Sequence, residues 1–145
     1  MDARPGREEA IVTCVTARLG DRLAHGLLII GCGPPGLALA RRLEAAGSAV
    51  TVIEQDTDLI ELARGTLVRS RIVVGDGCDP ELLHSCLRQR EICGVVVLLG
   101  DPERSLLAGI LARSLGASTV IVLCSKRQYT SLAASHGIDA MLIPI

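Results

Sequence analysis

The chain of 145 residues is long enough for one domain with a substantial core and too short for two ordinary domains. Apolar residues make up 49% of it and charged residues 21%, which excludes a disordered segment, and Tyr129 is the single aromatic residue. The net charge of −1 and the lack of stacking aromatics argue against a nucleic-acid partner. No apolar run reaches the roughly 18 residues of a membrane span, so we expect no direct membrane insertion.

The first 25 residues differ from the rest of the chain. Apolar residues recur there every four positions, which predicts an amphipathic helix from about Glu8 to Ala24; they are Ile11, Val15, Leu19 and Leu23. The β-branched run IVTCVT also suits a strand. We therefore expect a partly helical N-terminal extension over residues 1–25, ahead of a domain over residues 26–145. Its apolar stripe can cover that domain or meet a partner, and the first is favoured.

From Leu27 onward, short apolar runs alternate with stretches of helical pattern. The runs are mostly continuously apolar, which is typical of parallel strands buried on both faces of a sheet. Six runs separated by five crossovers predict an α/β fold, a Rossmann-like doubly wound parallel six-stranded sheet with helices on both faces. The predicted strands are Leu27–Gly31, Ala49–Glu54, Arg71–Gly75, Val95–Gly100, Thr119–Cys124 and Ala140–Ile143. Four glycines are predicted to end helices: Gly47, Gly65, Gly116 and Gly137.

The stretch GCGPPG, residues Gly31 to Gly36, lies between the first strand and the next helix. This G-x-G-x-x-G spacing is typical of loops that hold a pyrophosphate with backbone N–H groups at a helix N-terminus. Glu54 follows Gly33 by 21 residues, close to the spacing of roughly 20 expected for an acid that binds ribose. With no Arg nearby, it favours NAD or an adenosine-type ligand over NADP. The alternative is that Glu54 sits exposed at a strand end.

Pro34 and Pro35 have no N–H to donate to a phosphate. Because Pro35 disfavours helical geometry at Pro34, we expect the helix to begin at Pro35, with Gly36 and Leu37 as the next free donors. The loop therefore predicts a nucleotide site with fewer donors and weaker binding. A degenerate site that has lost its ligand stays open as an alternative.

The second strand-end motif is GDGCDPELL, residues Gly75 to Leu83. It places Asp76 and Gly77 at the carboxyl edge of the sheet, beside the expected adenine pocket. The six cysteines contain no C-x-x-C pair, and the three histidines are far apart, so we expect reduced thiols in the cytoplasm and no metal site.

Four segments together resemble the TrkA N-terminal, or RCK N-terminal (regulator of potassium conductance), NAD-binding domain family over about Leu27 to Pro144. They are GCGPPGLALARRLEAAGSAVTVIEQD, VVGDGCDPELL, DPERSLLAGILARSLGASTVIV and GIDAMLIP. Leu99 and Ser105 stand where that family usually has Thr and Asn. The resemblance implies a cytoplasmic regulatory domain that binds NAD(H) or alternatively ATP, ADP or AMP. It also implies a homodimer or larger ring, held at the inner face of the membrane by a potassium channel, transporter or antiporter.

The resemblance also implies which residues form the site. The loop would hold the diphosphate, Glu54 the ribose and Asp76 with Gly77 the adenine, while Leu99 and Gly100 would line the pocket after the fourth strand. The full candidate set is Gly31, Cys32, Gly33, Pro34, Pro35, Gly36, Glu54, Gln55, Asp76, Gly77, Cys78, Leu99 and Gly100.

Three functions compete at this point. The leading one is a nucleotide sensor without catalysis that regulates potassium transport. The second is the cofactor domain of an NAD-dependent oxidoreductase, although no sequence remains after the sixth strand to build a substrate pocket with an acid–base residue. The third is a dimerisation scaffold without ligand, which the two prolines favour.

Overall fold

The computed structural model describes residues 6–89 and 91–144. In this part of the chain six parallel strands form one sheet in the order β3-β2-β1-β4-β5-β6. The strands are β1 (Gly26–Ile30), β2 (Ala49–Glu54), β3 (Arg71–Val74), β4 (Ile92–Val97), β5 (Val120–Leu123) and β6 (Ala140–Leu142). The predicted doubly wound sheet is confirmed, with strand ends within a few residues of the predicted ones.

The described residues also form six α-helices. They are α1 (Arg7–Leu19), α2 (Pro34–Ala45), α3 (Thr57–Thr66), α4 (Pro80–Gln89), α5 (Pro102–Ser114) and α6 (Thr130–Ser135). Short 3₁₀ segments follow α1 and precede α6, at Gly20–Ala24 and Arg127–Tyr129. None of the helices in these ranges combines the length and the apolar character needed to span a membrane.

The core has two layers, one on each face of the sheet. Along β1, Leu27 and Ile29 pack with residues of α1, α2 and α3, whereas Leu28 and Ile30 pack with residues of α4, α5 and α6. This alternation follows from the two-residue period of a strand, which sends successive side chains to opposite faces. Both faces are apolar, so the central strands consist almost entirely of apolar residues, with the buried Thr51 of β2 as an exception. The prediction of helices on both faces is confirmed.

The N-terminal segment packs on the same core as the sheet. Four apolar side chains of α1 are buried, and they share a cluster with residues of α2; they are Ile11, Val12, Val15 and Leu19. The helix is shorter than predicted because Gly20, with φ of 52°, turns the chain into the 3₁₀ segment that leads to β1. Residues 1–5 of the predicted extension lie outside the described residues.

Three of the four glycines predicted to end helices do so. Gly47, Gly116 and Gly137 adopt φ of 87°, 106° and 80°, in the region that favours glycine. Gly65 is the exception, since α3 continues through it to Thr66. After α3, the backbone N–H groups of residues 68–70 donate to the carboxylate of Glu44. This contact with α2 determines where α3 ends, so no glycine is needed there.

The order of the strands reverses beside β1. The chain leaves β1 toward β2 on one side and returns in β4 on the other, so the loops after β1 and β4 separate at the carboxyl edge of the sheet. In doubly wound sheets this is where a crevice opens and ligands bind. The candidate site is therefore the loop Gly31–Gly36, the loop after β4 and the ends of β2 and β3.

Candidate nucleotide-binding site

Two glycines of the loop after β1 are required by the fold itself. Gly31 has φ of 101°, and a Cβ there would lie 2.7 Å from the carbonyl oxygen of Leu98. A Cβ on Gly36 would lie 2.1 Å from the carbonyl oxygen of Gly31. The first glycine allows the sharp turn out of β1, and the second allows α2 to pack against that turn.

Gly33 is different, because nothing in the described structure requires a glycine there. Its φ of −68° and ψ of −172° are open to any residue. Apart from its two neighbours in the chain, no described residue has an atom within 4 Å of a Cβ placed on it. Gly33 is the N-cap of α2, and it lines the crevice. Its missing side chain therefore leaves space directly in front of the N-terminus of α2.

The two prolines are the first two residues of α2, so the predicted start at Pro35 is wrong. The first N–H groups of a helix have no acceptor within it, and prolines in the first two positions therefore forfeit no helical hydrogen bond. Leu37 was predicted to be a free donor, and this prediction is also wrong. Its N–H donates to the carbonyl oxygen of Gly33 over 2.9 Å.

Two backbone donors remain at this helix end. Cys32 N–H donates to Glu54 Oε1 over 2.7 Å and is thus already used. Within the described part of the chain, neither Gly33 N–H nor Gly36 N–H has a hydrogen-bond acceptor. These two N–H groups, together with the dipole of α2, are what the loop offers to an anion.

Glu54 is buried, which makes the alternative of an exposed strand end wrong. The residue is 9% exposed, and its carboxylate connects the end of β2 to the glycine loop. Oε1 accepts from Cys32 N–H, while Oε2 accepts from the N–H groups of Gln55 (2.9 Å) and Asp56 (3.0 Å). Burial first, and the nearby Glu54 charge second, raise the pKa of the Cys32 thiol to about 11, so this thiol stays neutral.

A cleft of about 400 Å³ lies beside the loop, on the β4 side of the sheet. Gly33, Pro34 and Pro35 form one wall. The loop after β4 forms another, with the predicted residues Leu99 and Gly100. Polar side chains are few here, and no histidine is among the described residues that line the cleft. The arrangement can bind a ligand with an apolar portion, and it offers no evident acid–base pair.

The loop after β3 lies apart from this cleft. A Cβ on Gly77 would come within 2.3 Å of the Ile30 side chain, so close packing on β1 explains this glycine. Asp76 Oδ1 accepts from Cys78 N–H over 2.9 Å and from the guanidinium of Arg104. The Cys78 bond first, and then Arg104, lower the pKa of Asp76 despite its partial burial. Asp76, Gly77 and Cys78 do not line the cleft, and neither do Glu54 and Gln55.

Sequence reasoning missed two features. The first is Arg104, whose pairing with Asp76 joins the loop after β3 to the first turn of α5. No spacing in the sequence indicates it, since the two residues are 28 positions apart. The second is the N-terminal segment, because Arg7, Glu8 and Ile11 of α1 also line the cleft.

Ser105 has a structural role in shaping the cleft. The residue is fully buried, and its hydroxyl lies 3.0 Å from the Leu99 carbonyl oxygen and 2.8 Å from that of Asp101. It therefore fixes the loop after β4 against the first turn of α5.

Comparison with known proteins identifies relatives of this sequence. The profile of the TrkA-N domain family matches residues 27–144. "Trk system potassium uptake protein trkA homolog 1" of Methanosarcina mazei is 34% identical over 130 residues, which are 86% of this chain and 31% of that protein. The chain thus spans less than a third of this relative's length.

Solved structures share the fold. The TrkA-N domain of the inner membrane protein ybaL from Escherichia coli superposes with a TM-score of 0.71 at 16% identity, over 81% of this chain and 86% of that one. The GsuK channel bound to NAD superposes with a TM-score of 0.68 at 19% identity, over 91% of this chain and 25% of that one. GsuK bound to ADP gives the same TM-score at 20% identity, with 82% and 31% covered.

Proposed function

The chain belongs to the TrkA-N domain family, and we propose that it is the nucleotide-binding regulatory domain of a potassium transport system. In this proposal it binds NAD(H), with ADP, ATP and AMP as alternative ligands, and it catalyses no reaction. It works in the cytoplasm, at the inner face of the membrane, as a homodimer or larger ring attached to a channel, transporter or antiporter.

The observation that carries the proposal is the space in front of Gly33. The fold would accept a side chain at this position, both in backbone geometry and in packing, yet the residue is glycine and borders the cleft. A glycine that packing does not require is explained when another molecule approaches the backbone there. The N-terminus of α2 with two available N–H groups suits an anion such as a diphosphate.

Glu54, on the β2 side of the glycine loop, favours a ligand that contains a ribose. A carboxylate has about four acceptor sites, and three of those on Glu54 are used by backbone N–H groups. One site remains, and a ribose hydroxyl can donate to it without breaking the existing bonds. The proposal therefore assigns Glu54 one hydrogen bond to the ribose.

The presence of a cleft on the β4 side of the glycine loop, in addition to Glu54 on the β2 side, favours a dinucleotide. A ligand whose ribose meets Glu54 and whose diphosphate lies over Gly33 has the cleft of about 400 Å³ ahead of it, toward Leu99 and Gly100. A mononucleotide would leave that apolar space to water. We therefore place NAD(H) before ADP, ATP and AMP.

Regulation would follow from differential binding. A bound nucleotide can shift a membrane partner between two states only as far as it binds one state better than the other. Potassium is the transported ion in this proposal because the relatives are named Trk system potassium uptake proteins.

A ligand-free scaffold is the second candidate, and the prolines are the observation that favours it. With Pro34 and Pro35 at the helix start, two of the positions that ordinarily donate to a diphosphate have no N–H. Each lost charge-assisted bond costs about 1.5–3 kcal/mol, so affinity falls tenfold or more for each.

Calorimetric titration of the purified chain with NAD, NADH, ADP, ATP and AMP separates these functions. Gly33→Ala is the decisive variant, because a methyl group there fits the fold but enters the space proposed for the diphosphate. Gly65→Ala is its matched control, since Gly65 is exposed in α3 with no atom within 4 Å of its Cβ position.

We expect NAD to bind the wild type and Gly65→Ala equally. Gly33→Ala should bind at least tenfold more weakly while unfolding within a few degrees of the wild type, because the smaller entropy of the unfolded chain offsets the weaker preference for alanine at an N-cap. A wild type that binds none of the five nucleotides would overturn the proposal in favour of the scaffold. Turnover of bound NAD with a small substrate would instead favour the oxidoreductase.

A further inference from the structure

The glycine loop by itself offers an anion little positive charge. Its prolines have no N–H, and the N–H groups of Cys32 and Leu37 donate within the protein. The buried carboxylate of Glu54 lies directly behind the loop. A diphosphate at Gly33 would thus meet two backbone N–H groups and no cationic side chain from residues 31–40.

The N-terminal helix brings charged side chains to this place. Ile11 of α1 is buried, and the first turn of the helix reaches the cleft walled by Gly33, Pro34 and Pro35. Arg7 is the one cationic side chain among the described residues that line the cleft, and Glu8 is the one anionic side chain among them. Glu8 also contributes to a second groove on the far side of Pro34, so the first turn of α1 lies against the start of α2.

Arg7 stands at a position where helix electrostatics disfavour a cation. The N-terminus of a helix carries partial positive charge, which Glu8 and Glu9 complement and which Arg7 opposes. Arg7 is exposed, so no packing contact requires it at this position. An anion bound beside Arg7 would offset the unfavourable interaction between its charge and the N-terminus of the helix.

We infer that α1 is part of the nucleotide site and that Arg7 supplies the positive charge for the diphosphate that the two-proline loop lacks. This inference depends on the proposed function, because it concerns the same ligand. It assigns Arg7 as a binding residue and Glu8 as an opposing charge that limits the affinity. The N-terminal segment is then a recognition element as well as a cover for the core.

Calorimetry with ADP and with NAD tests this on four variants of the full chain. Arg7→Gln removes the charge, Arg7→Lys keeps it, and Glu8→Gln removes the opposing charge. Arg18→Gln is the control, an exposed arginine in the last turn of the same helix. Each titration is repeated at low and high salt, because attraction between partly exposed charges is screened by ions.

Arg7→Gln should weaken both ligands about three- to tenfold at low salt and should make binding less dependent on salt. Arg7→Lys should restore most of the affinity, Glu8→Gln should tighten binding about twofold, and Arg18→Gln should have no effect. Thermal unfolding of Arg7→Gln should match the wild type, because removing a cation from the first turn does not weaken the helix.

The outcomes distinguish the inference from the function it depends on. If the wild type binds nucleotide and Arg7→Gln behaves as Arg18→Gln does, the inference is wrong and the proposed function stands. An equal salt dependence for Arg7→Gln and the wild type would also overturn it. If the wild type binds neither ADP nor NAD, the proposed function fails and the inference fails with it.

Discussion

Two buried glutamates, Glu44 in α2 and Glu54 at the end of β2, differ in how fully their carboxylates are used. Both are 9% exposed, and both accept backbone N–H groups from a separate segment. Glu44 accepts four bonds, from the N–H groups of residues 68–70 and the Ser70 hydroxyl. Glu54 accepts three.

This difference separates the structural role of Glu44 from the binding role proposed for Glu54. Oε2 of Glu44 accepts three of its bonds and Oε1 accepts one, and all four donors belong to the segment after α3. Glu44 is therefore a clamp between α2 and that segment, and it lies at the opposite end of α2 from the glycine loop. With one acceptor site left beside the glycine loop, Glu54 can both hold the loop and receive a hydroxyl group. Burial and residue type alone would not tell the two apart.

Glu44→Gln tests the clamp and should give the largest change in stability. The amide retains one acceptor oxygen but turns an NH₂ group toward N–H donors that then lack a partner. We expect the free energy of unfolding to fall by about 2–4 kcal/mol, measured by urea denaturation. Affinity for NAD should stay within about twofold of the wild type. A loss of binding with unchanged stability would reverse the assigned roles.

Glu54→Gln should show the opposite pattern. Removing the charge and half of the acceptor capacity should weaken NAD binding by at least tenfold, about 1.5 kcal/mol or more, in a calorimetric titration. Its loss of stability should be smaller than that of Glu44→Gln because fewer bonds are affected. Equal NAD affinity in Glu54→Gln and the wild type would refute the proposed contact with ribose.

Acid titration sharpens the comparison further. Burial alone would raise the pKa of Glu44, but the hydrogen bonds from Ser70, Val68 and Arg69 outweigh it and lower the pKa from its ordinary 4.5 to about 2. The folded state therefore gains stability from the ionised form above pH 4.5, and this gain is lost as the pH falls toward 2.

The measurement is the free energy of unfolding against pH for the wild type and Glu44→Gln. The wild type should lose stability more steeply between pH 4.5 and pH 2 than the variant does. Asp76, whose pKa is also lowered, contributes to the loss in both proteins and cancels in the difference. Parallel curves would show that Glu44 is not the titrating group.

The smallest effect is expected at the pair of Asp76 and Arg104. Both side chains are about two-fifths exposed, so the pair should contribute little. Arg104→Gln should lower the free energy of unfolding by less than about 1 kcal/mol in urea denaturation. A loss as large as that of Glu44→Gln would mean that the loop after β3 is a structural clamp of equal weight.

The sequence predicted the sheet well because its strands are buried on both faces. Continuous apolar runs such as that ending at Ile30 leave a parallel strand between two layers of helices as the simplest solution. The glycines at helix ends were predicted where φ is positive and missed at Gly65, where Glu44 sets the end of the helix across 24 residues or more.

The site was predicted less completely, for a physical reason. Local spacing was enough to propose the glycine loop and Glu54 as parts of the candidate site, because both lie next to strand ends. The burial of Glu54, the pairing of Asp76 with Arg104 and the approach of Arg7 to the cleft depend on contacts between distant segments. The start of α2 at Pro34 was missed because the local rule on residues before proline was given more weight than the lack of helical acceptors in the first turn.

A crystal structure of the chain with NAD tests the central claim most directly. The account predicts the diphosphate in front of Gly33 at the N-terminus of α2, a ribose hydroxyl donating to Glu54 Oε1, and the second half of the ligand in the cleft beside Leu99 and Gly100. Crystals grown with saturating NAD that show ordered water in that crevice, or the dinucleotide bound elsewhere, would contradict it.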